Sequence, residues 1–381
     1  MKHFFLFLIL LVSLESWAQL QTQFKKIVDS IYNQHPEAIG ILVHVEAPNQ
    51  SISWSYAKGI SEKLSTTPLT AQQPVLIASN TKPYVAAAIL RLVEKRKFTL
   101  DQSIATLLST QTKSQLKKSG YNLQLITPRH LLSHTSGIQD YVDESYFQYI
   151  NEHPQYQWTR DEQIERSLAI GKPQKVGTHF SYGDINYLLL TEIIEQQMQQ
   201  PFYIAIRTLL KYHALGLNHT WFFQLEDYPV HTLPLAHQYA AKLQWNSYQL
   251  NPSWDLYGGG GIAATAKDAA LFFQYLFEGK IIEDKSLLQK MYTYVLPPDQ
   301  SKYCLGIFNF DLGFPAYYHG GWWGTDVIYS PTSNATVTVF TLQKEFQHTI
   351  NPYIGKEFLT LLFKQEQIFS SPSSVNEALK Q

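Results

Sequence analysis

The sequence predicts an α+β fold: an antiparallel sheet flanked by helices, beside a mainly helical lobe, with a cleft between them. Three observations lead there. Strand-like segments cluster at both ends of the chain, well-marked helix starts fill the middle, and 381 residues that are 45% hydrophobic and 14% aromatic supply a large core. If both ends join one sheet, the middle is an insertion that packs at its side.

The elements follow in order. Lys2, the apolar run Phe4 to Val12 and the small residues flanking Trp17 in Ser16-Trp17-Ala18 read as a signal peptide over residues 1–18, cut after Ala18. That run is shorter than the roughly 20 apolar residues that span a bilayer, and no later segment reaches that length. The expectation is an exported, periplasmic or secreted protein with no transmembrane domain in its mature chain. One domain is expected over 19–368, with its sheet layer from about 25–66 and 303–365 and its helical lobe from about 84–300. Ile39 to Val45 and Ser51 to Ala57 read as a hairpin around Pro48-Asn49-Gln50. Thr127-Pro128 opens a helix with an N-cap and a proline at its first position, and Gly137 reads as its stop. Thr265 and Asp268 open another through Phe277, and Ile185 to Met198 is a third. Cys304 to Phe310, Thr325 to Tyr329 and Ala335 to Phe340 alternate as strands, and Gly355 to Lys364 closes the domain as a helix. Residues 369–381 are polar and read as a flexible tail.

Charge and cysteine content narrow the function. Thirty Lys and Arg against 31 Asp and Glu, with no basic block, argue against a nucleic-acid partner. The single Cys304 permits no intramolecular disulfide. A small-molecule or peptide substrate remains as the partner, and the oligomeric state is left open.

The chemistry concentrates at Ala78-Ser79-Asn80-Thr81-Lys82, between an extended apolar run and a helical one. A serine and a lysine three apart share a helix face. A serine hydroxyl becomes a nucleophile when a base removes its proton, and a helix N-terminus suits the oxyanion that results. The spacing alone is commonplace, since Ser114 and Lys117 repeat it in a polar run. The copy at 79 differs because the helix behind it, Val85 to Val93, is apolar nearly all round and therefore buried. Two other motifs carry less. His130 and His134 stand four apart without an acidic third ligand, so no metal is expected. Gly258 to Gly261 lacks the Lys-Ser/Thr of a phosphate loop, so no cofactor is expected either; it reads as backbone that approaches the cleft.

ASNTKPYVAAAILRLVEKRKFTLD, RHLLSHTSGI, FSYGDINYLLL, GGGGIAATAKDAALF and HGGWWG, in this order, resemble the class C β-lactamase-like serine hydrolases, a family that includes penicillin-binding DD-peptidases and esterases. The likeness runs over about residues 25 to 365. It implies a β-lactamase/DD-peptidase-like fold with the active site in the cleft, Ser79 as the acylated nucleophile, Lys82 as its neighbouring base and Tyr182 as a proton carrier. It implies that His319, in His319-Gly320-Gly321, stands for the family's third element. The backbone N–H groups of Ser79 and Trp322 would form the oxyanion hole, and Asp184, Gly320 and Gly321 would meet substrate. Two departures bear on that substrate. His319 replaces a permanently charged lysine and Asp184 an asparagine, which weakens the case for carboxylate and acylamide recognition. Asp184 also favours a charged Lys82, so the base is either Lys82 or Tyr182. The resulting expectation is an exported esterase- or peptidase-like hydrolase. A β-lactamase or DD-carboxypeptidase is the alternative, and a catalytically quiet peptide-binding protein is the reading from another class.

Overall fold

Side chains of a strand alternate between its two faces, so one sheet with apolar residues at both parities must carry a core on each side. The computed structural model of the chain describes residues 2–370 and has this arrangement. Its strands are β1 (Gly40–Ala47), β2 (Ile52–Gly59), β3 (Val75–Leu76), β4 (Thr220–Phe222), β5 (Tyr239–Ala240), β6 (Trp245–Asn246), β7 (Ile262–Ala264), β8 (Phe308–Asp311), β9 (Pro315–Gly321), β10 (Thr325–Ser330) and β11 (Ala335–Thr341). Six of them form an antiparallel sheet in the order β2-β1-β11-β10-β9-β8, so the two ends of the chain meet where β1 pairs with β11. A small sheet ordered β3-β7-β4 and the β5-β6 ribbon lie outside it.

The helices are α1 (Lys2–Gln34), α2 (Lys82–Glu94), α3 (Thr110–Lys118), α4 (Pro128–Leu132), α5 (Glu144–Glu152) and α6 (Arg160–Ile170). They continue with α7 (Asp184–Met198), α8 (Phe202–Leu209), α9 (Tyr212–Leu215), α10 (Ala266–Phe277), α11 (Lys285–Met291) and α12 (Ile350–Ser370). On one face of the large sheet Ile41, Val43, Val45, Val337 and Val339 pack against Phe24, Val28, Phe358 and Leu362 of α1 and α12. On the other, Leu42, Val327 and Phe340 join the core that runs on into the lobe. Each such side chain, fully buried, contributes roughly 1.5–3 kcal/mol.

Several expectations are adjusted by packing. Helix α10 lies inside the stretch expected to form the lobe, yet it crosses the sheet over β1 and β11. Thr336 and Thr338 meet it there, donating to Gln274 Oε1 and the Ala266 carbonyl, each at 2.9 Å. The strand expected from Cys304 starts at Phe308, because Gly306 turns with φ +85° against α2. A Cβ on Gly306 would sit 2.4 Å from the Ala86 methyl. Helix α4 ends at Leu132, well before Gly137. The terminal helix is longer than expected, and most of the tail assigned to 369–381 lies outside the described residues. The segment assigned to the signal peptide falls, apart from Met1, within α1. Among the described residues no helix is long and apolar enough to cross a membrane.

Candidate active site

Strand β3 enters a 3-10 turn, Ala78–Thr81, that becomes α2. Ala78 holds φ +47°, a region that disfavours a side chain by about 1–3 kcal/mol. The turn persists because its neighbours pin it. Asn80 Nδ2 donates to Thr325 O and Oγ1, both at 3.0 Å, and Thr325 Oγ1 donates to Ile77 O at 2.9 Å. Thr81 Oγ1 accepts the Ile262 N–H at 3.2 Å. Ser79 is thus presented half-buried at the edge of the large sheet. Its sequence double has no such setting: Ser114 and Lys117 are both exposed on α3.

Lys82 is fully buried, and its ammonium makes two hydrogen bonds and an ion pair. Its Nζ lies 3.0 Å from Ser79 Oγ, 2.6 Å from Gly259 O and 2.5 Å from Asp184 Oδ1. Burial by itself pushes its pKa down, but Asp184, Tyr182 and Asp255 push harder and raise it well above the usual lysine range. Lys82 is an ammonium.

Tyr182 covers this group. Lys82 Nζ stands 4.9 Å from the centre of its ring, and His134 packs on the ring at 4.3 Å. The residue is 38% exposed along the cleft while its hydroxyl turns inward to Ser79 and Lys82. Burial raises the phenol, Lys82 and Ser79 restrain it, and it settles at about 12.

Two carboxylates absent from the sequence reading stand behind the pair. Helix α7 has Gly183 at its N-cap and therefore no side-chain cap. Asp140 supplies one from a neighbouring loop, its Oδ1 accepting from Ile185 N at 3.2 Å and from Tyr141 N at 3.0 Å. Burial and the nearby Asp184 push Asp140 up to about 8 and Asp255 well above the usual carboxylate range. The glycine run makes room for them. A Cβ on Gly259 would lie 2.7 Å from Asp184 Cγ, and one on Gly260 2.0 Å from Asp255 Oδ2. An acidic residue just ahead of consecutive glycines was the available signal for Asp255.

His319 is 1% exposed. Its Nδ1–H donates to Gly320 O at 2.8 Å, which leaves Nε2 to accept from the Tyr303 hydroxyl at 3.2 Å. Burial and the Lys82 charge hold it down to about 3, so the imidazole is neutral. Gly321 brings β9 against the nucleophile turn: a Cβ there would sit 2.0 Å from Ile77 O. Gly320 is closed over by Tyr318 and Gln347. Trp322 follows, half-buried, beside Trp323, Trp254, Trp245 and Phe147. His130 and His134 do not converge. The first bonds Thr127, and the second accepts the Gly183 N–H at 3.2 Å from outside the helix. Among the described residues no group of three or more His, Cys, Asp or Glu is placed to hold a metal ion.

Hollows of about 600 and 560 Å³ open elsewhere, the first beside His219 and Asp268, the second beside Ile31 and Tyr353. The first does hold a hydroxyl beside an imidazole, Thr232 Oγ1 at 2.6 Å from His219 Nδ1, but among the described residues no lysine or tyrosine joins that pair as at Ser79. A void of about 20 Å³ lined by Ala78, Trp254, Asp255 and Trp323 adjoins the Ser79 turn.

Comparison with known proteins bears on the family and the fold. The Beta-lactamase family model matches residues 28–354. PbpX of Bacillus subtilis (strain 168) is 28% identical over 248 residues, covering 64% of this chain and 55% of PbpX. Esterase EstB of Burkholderia gladioli is 31% identical over 96 residues, 25% of this chain and 24% of the esterase. The chain thus spans about half the length of PbpX and a quarter of EstB. Among solved structures, D-amino acid amidase from Ochrobactrum anthropi SV3, complexed with L-phenylalanine, superposes with a TM-score of 0.73 at 21% identity, over 93% of this chain and all of the amidase.

Proposed function

This chain belongs to the Beta-lactamase family, and from that premise we propose that it is a serine hydrolase cleaving an ester or amide through a covalent acyl-enzyme on Ser79. The observation that carries the reading is the buried Lys82 ammonium 3.0 Å from Ser79 Oγ, with the Tyr182 hydroxyl turned to the same two groups. Lys82 has no lone pair to offer in this state. The base is Tyr182 in its phenolate form, which the adjacent ammonium stabilises. Ser79 gives its proton to that phenolate as Oγ bonds to the substrate carbonyl carbon. The carbonyl electron pair moves to oxygen, facing the backbone N–H groups of Ser79 and Trp322. Collapse breaks the bond to the leaving alcohol or amine, which takes the proton from Tyr182. Water then repeats the sequence, the C–Oγ bond breaks, and the acid departs.

The buried neutral His319 and the ion-paired Asp184 support an ester or simple amide over a penicillin. The names of relatives include an esterase as well as penicillin-binding proteins, which keeps a β-lactamase or DD-carboxypeptidase as the alternative. In the same reading the protein is exported and residues 1–18 are removed. Intact-mass spectrometry after treatment with a fluorophosphonate tests the nucleophile and the removal of residues 1–18 together. The expected species starts at Gln19 and carries one adduct, which Ser79→Ala abolishes and Ser114→Ala keeps. An unlabelled wild-type protein, alongside a labelled control hydrolase, would leave a quiet peptide-binding protein as the surviving reading.

A further inference from the structure

Beside the oxyanion-hole position stands a cation with no assigned task. Lys344 begins a short 3-10 turn, Lys344–Phe346, between β11 and α12. Its ammonium sits 4.8 Å over the ring of Trp322, one tryptophan away from the backbone N–H placed at the reacting carbonyl. The residue is half-buried, and burial lowers its pKa. Among the described residues no carboxylate forms an ion pair with it. The nearest in sequence, Glu345, attracts Lys344 electrostatically but makes its hydrogen bonds elsewhere: Oε1 accepts Lys242 N at 3.1 Å and Oε2 accepts Gln343 Nε2 at 2.5 Å. Lys242 adds a second positive charge in the same neighbourhood.

A partly desolvated ammonium without a directly paired carboxylate costs free energy that an arriving anion would recover. The surface beneath it is aromatic. Trp322 lies 5.5 Å from both Trp245 and Trp254 and is nearly parallel to Phe147 at 6.1 Å, an arrangement that favours flat apolar groups. His319, buried and neutral with both ring nitrogens bonded, gives no charge to this side of the cleft.

We propose that Lys344 and Trp322 form a subsite for an aromatic group bearing a carboxylate, so that the hydrolase proposed above prefers esters or amides whose leaving group has that character. The subsite rests on the hydrolase reading for its purpose, but its binding is measurable without turnover.

Tryptophan fluorescence of the mature protein, titrated with 3-hydroxybenzoate and with its neutral counterpart 3-hydroxybenzamide, provides the test. The titrations are run on wild type and on Ser79→Ala, where no acyl-enzyme can form. The expected result is about tenfold tighter binding of the benzoate in both, weakening as salt is added. Lys344→Met, which keeps the apolar stem, should remove the preference, and Lys344→Arg should retain it. Equal affinities in wild type, or a preference that survives in Lys344→Met, would overturn the subsite. Loss of fluorophosphonate labelling with the benzoate preference intact would instead remove the hydrolase reading and leave the subsite standing.

Discussion

At the scale of single residues, the ionisation of Lys82 is set by Asp184. A buried lysine with no partner tends toward the neutral amine, and here an ion pair at 2.5 Å reverses that tendency. The consequence is a pH dependence. With Tyr182 at about 12 and Lys82 charged, the phenolate is scarce at neutral pH and grows about tenfold per pH unit. The second-order rate of fluorophosphonate labelling should therefore climb from pH 7 to 10 without a plateau. Asp184→Asn removes the charge that raises Lys82 while keeping the shape. Burial then dominates, a proton leaves the Lys82–Tyr182 pair more readily, and the rising limb should move down by about 1–3 pH units. A limb that stays in place would show that Asp184 does not control the base.

At the scale of elements, the glycine loop between the 3-10 turn at Pro252–Asp255 and β7 sets how close neighbouring segments can come. Gly258 and Gly261 hold φ of +103° and +106°, which only glycine adopts without strain. Gly259 and Gly260 matter for a different reason, since the absent side chains leave room for Asp184 and Asp255. Gly260→Ala puts a methyl onto the Asp255 carboxyl group, and forced overpacking of this kind costs about 1–3 kcal/mol. Denaturant unfolding should show that loss, and labelling of Ser79 should slow as the Gly259 carbonyl moves off Lys82. Unchanged values of both would mean that the loop shifts freely and does not position the lysine.

At the scale of the whole molecule, burial of charge-bearing groups ties stability to pH. Asp326 on β10 is 1% exposed, and burial pushes it up to about 8. Its Oδ1 accepts from Tyr318 at 3.0 Å, while its Oδ2 and the Oδ1 of neighbouring Asn351 have no donor between them. A proton on Asp326 supplies one. The folded pKa lies above the unfolded value of about 3.9, so this contribution is complete below pH 4 and is lost as pH rises through 8. Asp326→Asn brings an amide donor that does not titrate. The variant should melt close to wild type near pH 5 and above it at pH 9, as scanning calorimetry can follow. Identical melting curves at both ends would mean that Asp326 is already ionised in the folded protein.

The sequence by itself determined the α+β class, the strand-rich character of both chain ends and the buried helix behind Ser79, while the pairing of β1 with β11 came from the tertiary structure. The first three depend on local periodicity, which neighbouring residues carry. It also singled out Ser79, Lys82, Tyr182 and His319 as the elements of one family pattern. Distances between remote segments have no such trace. That Lys82 is charged, that Asp140 caps α7 across a loop, that His319 is locked neutral by Gly320 and Tyr303, and that Lys344 rests over Trp322 were decided only by tertiary structure. The physical reason is common to all four: ionisation and hydrogen bonding depend on solvent exclusion and on partners tens to hundreds of residues away, or on how adjacent residues are folded together.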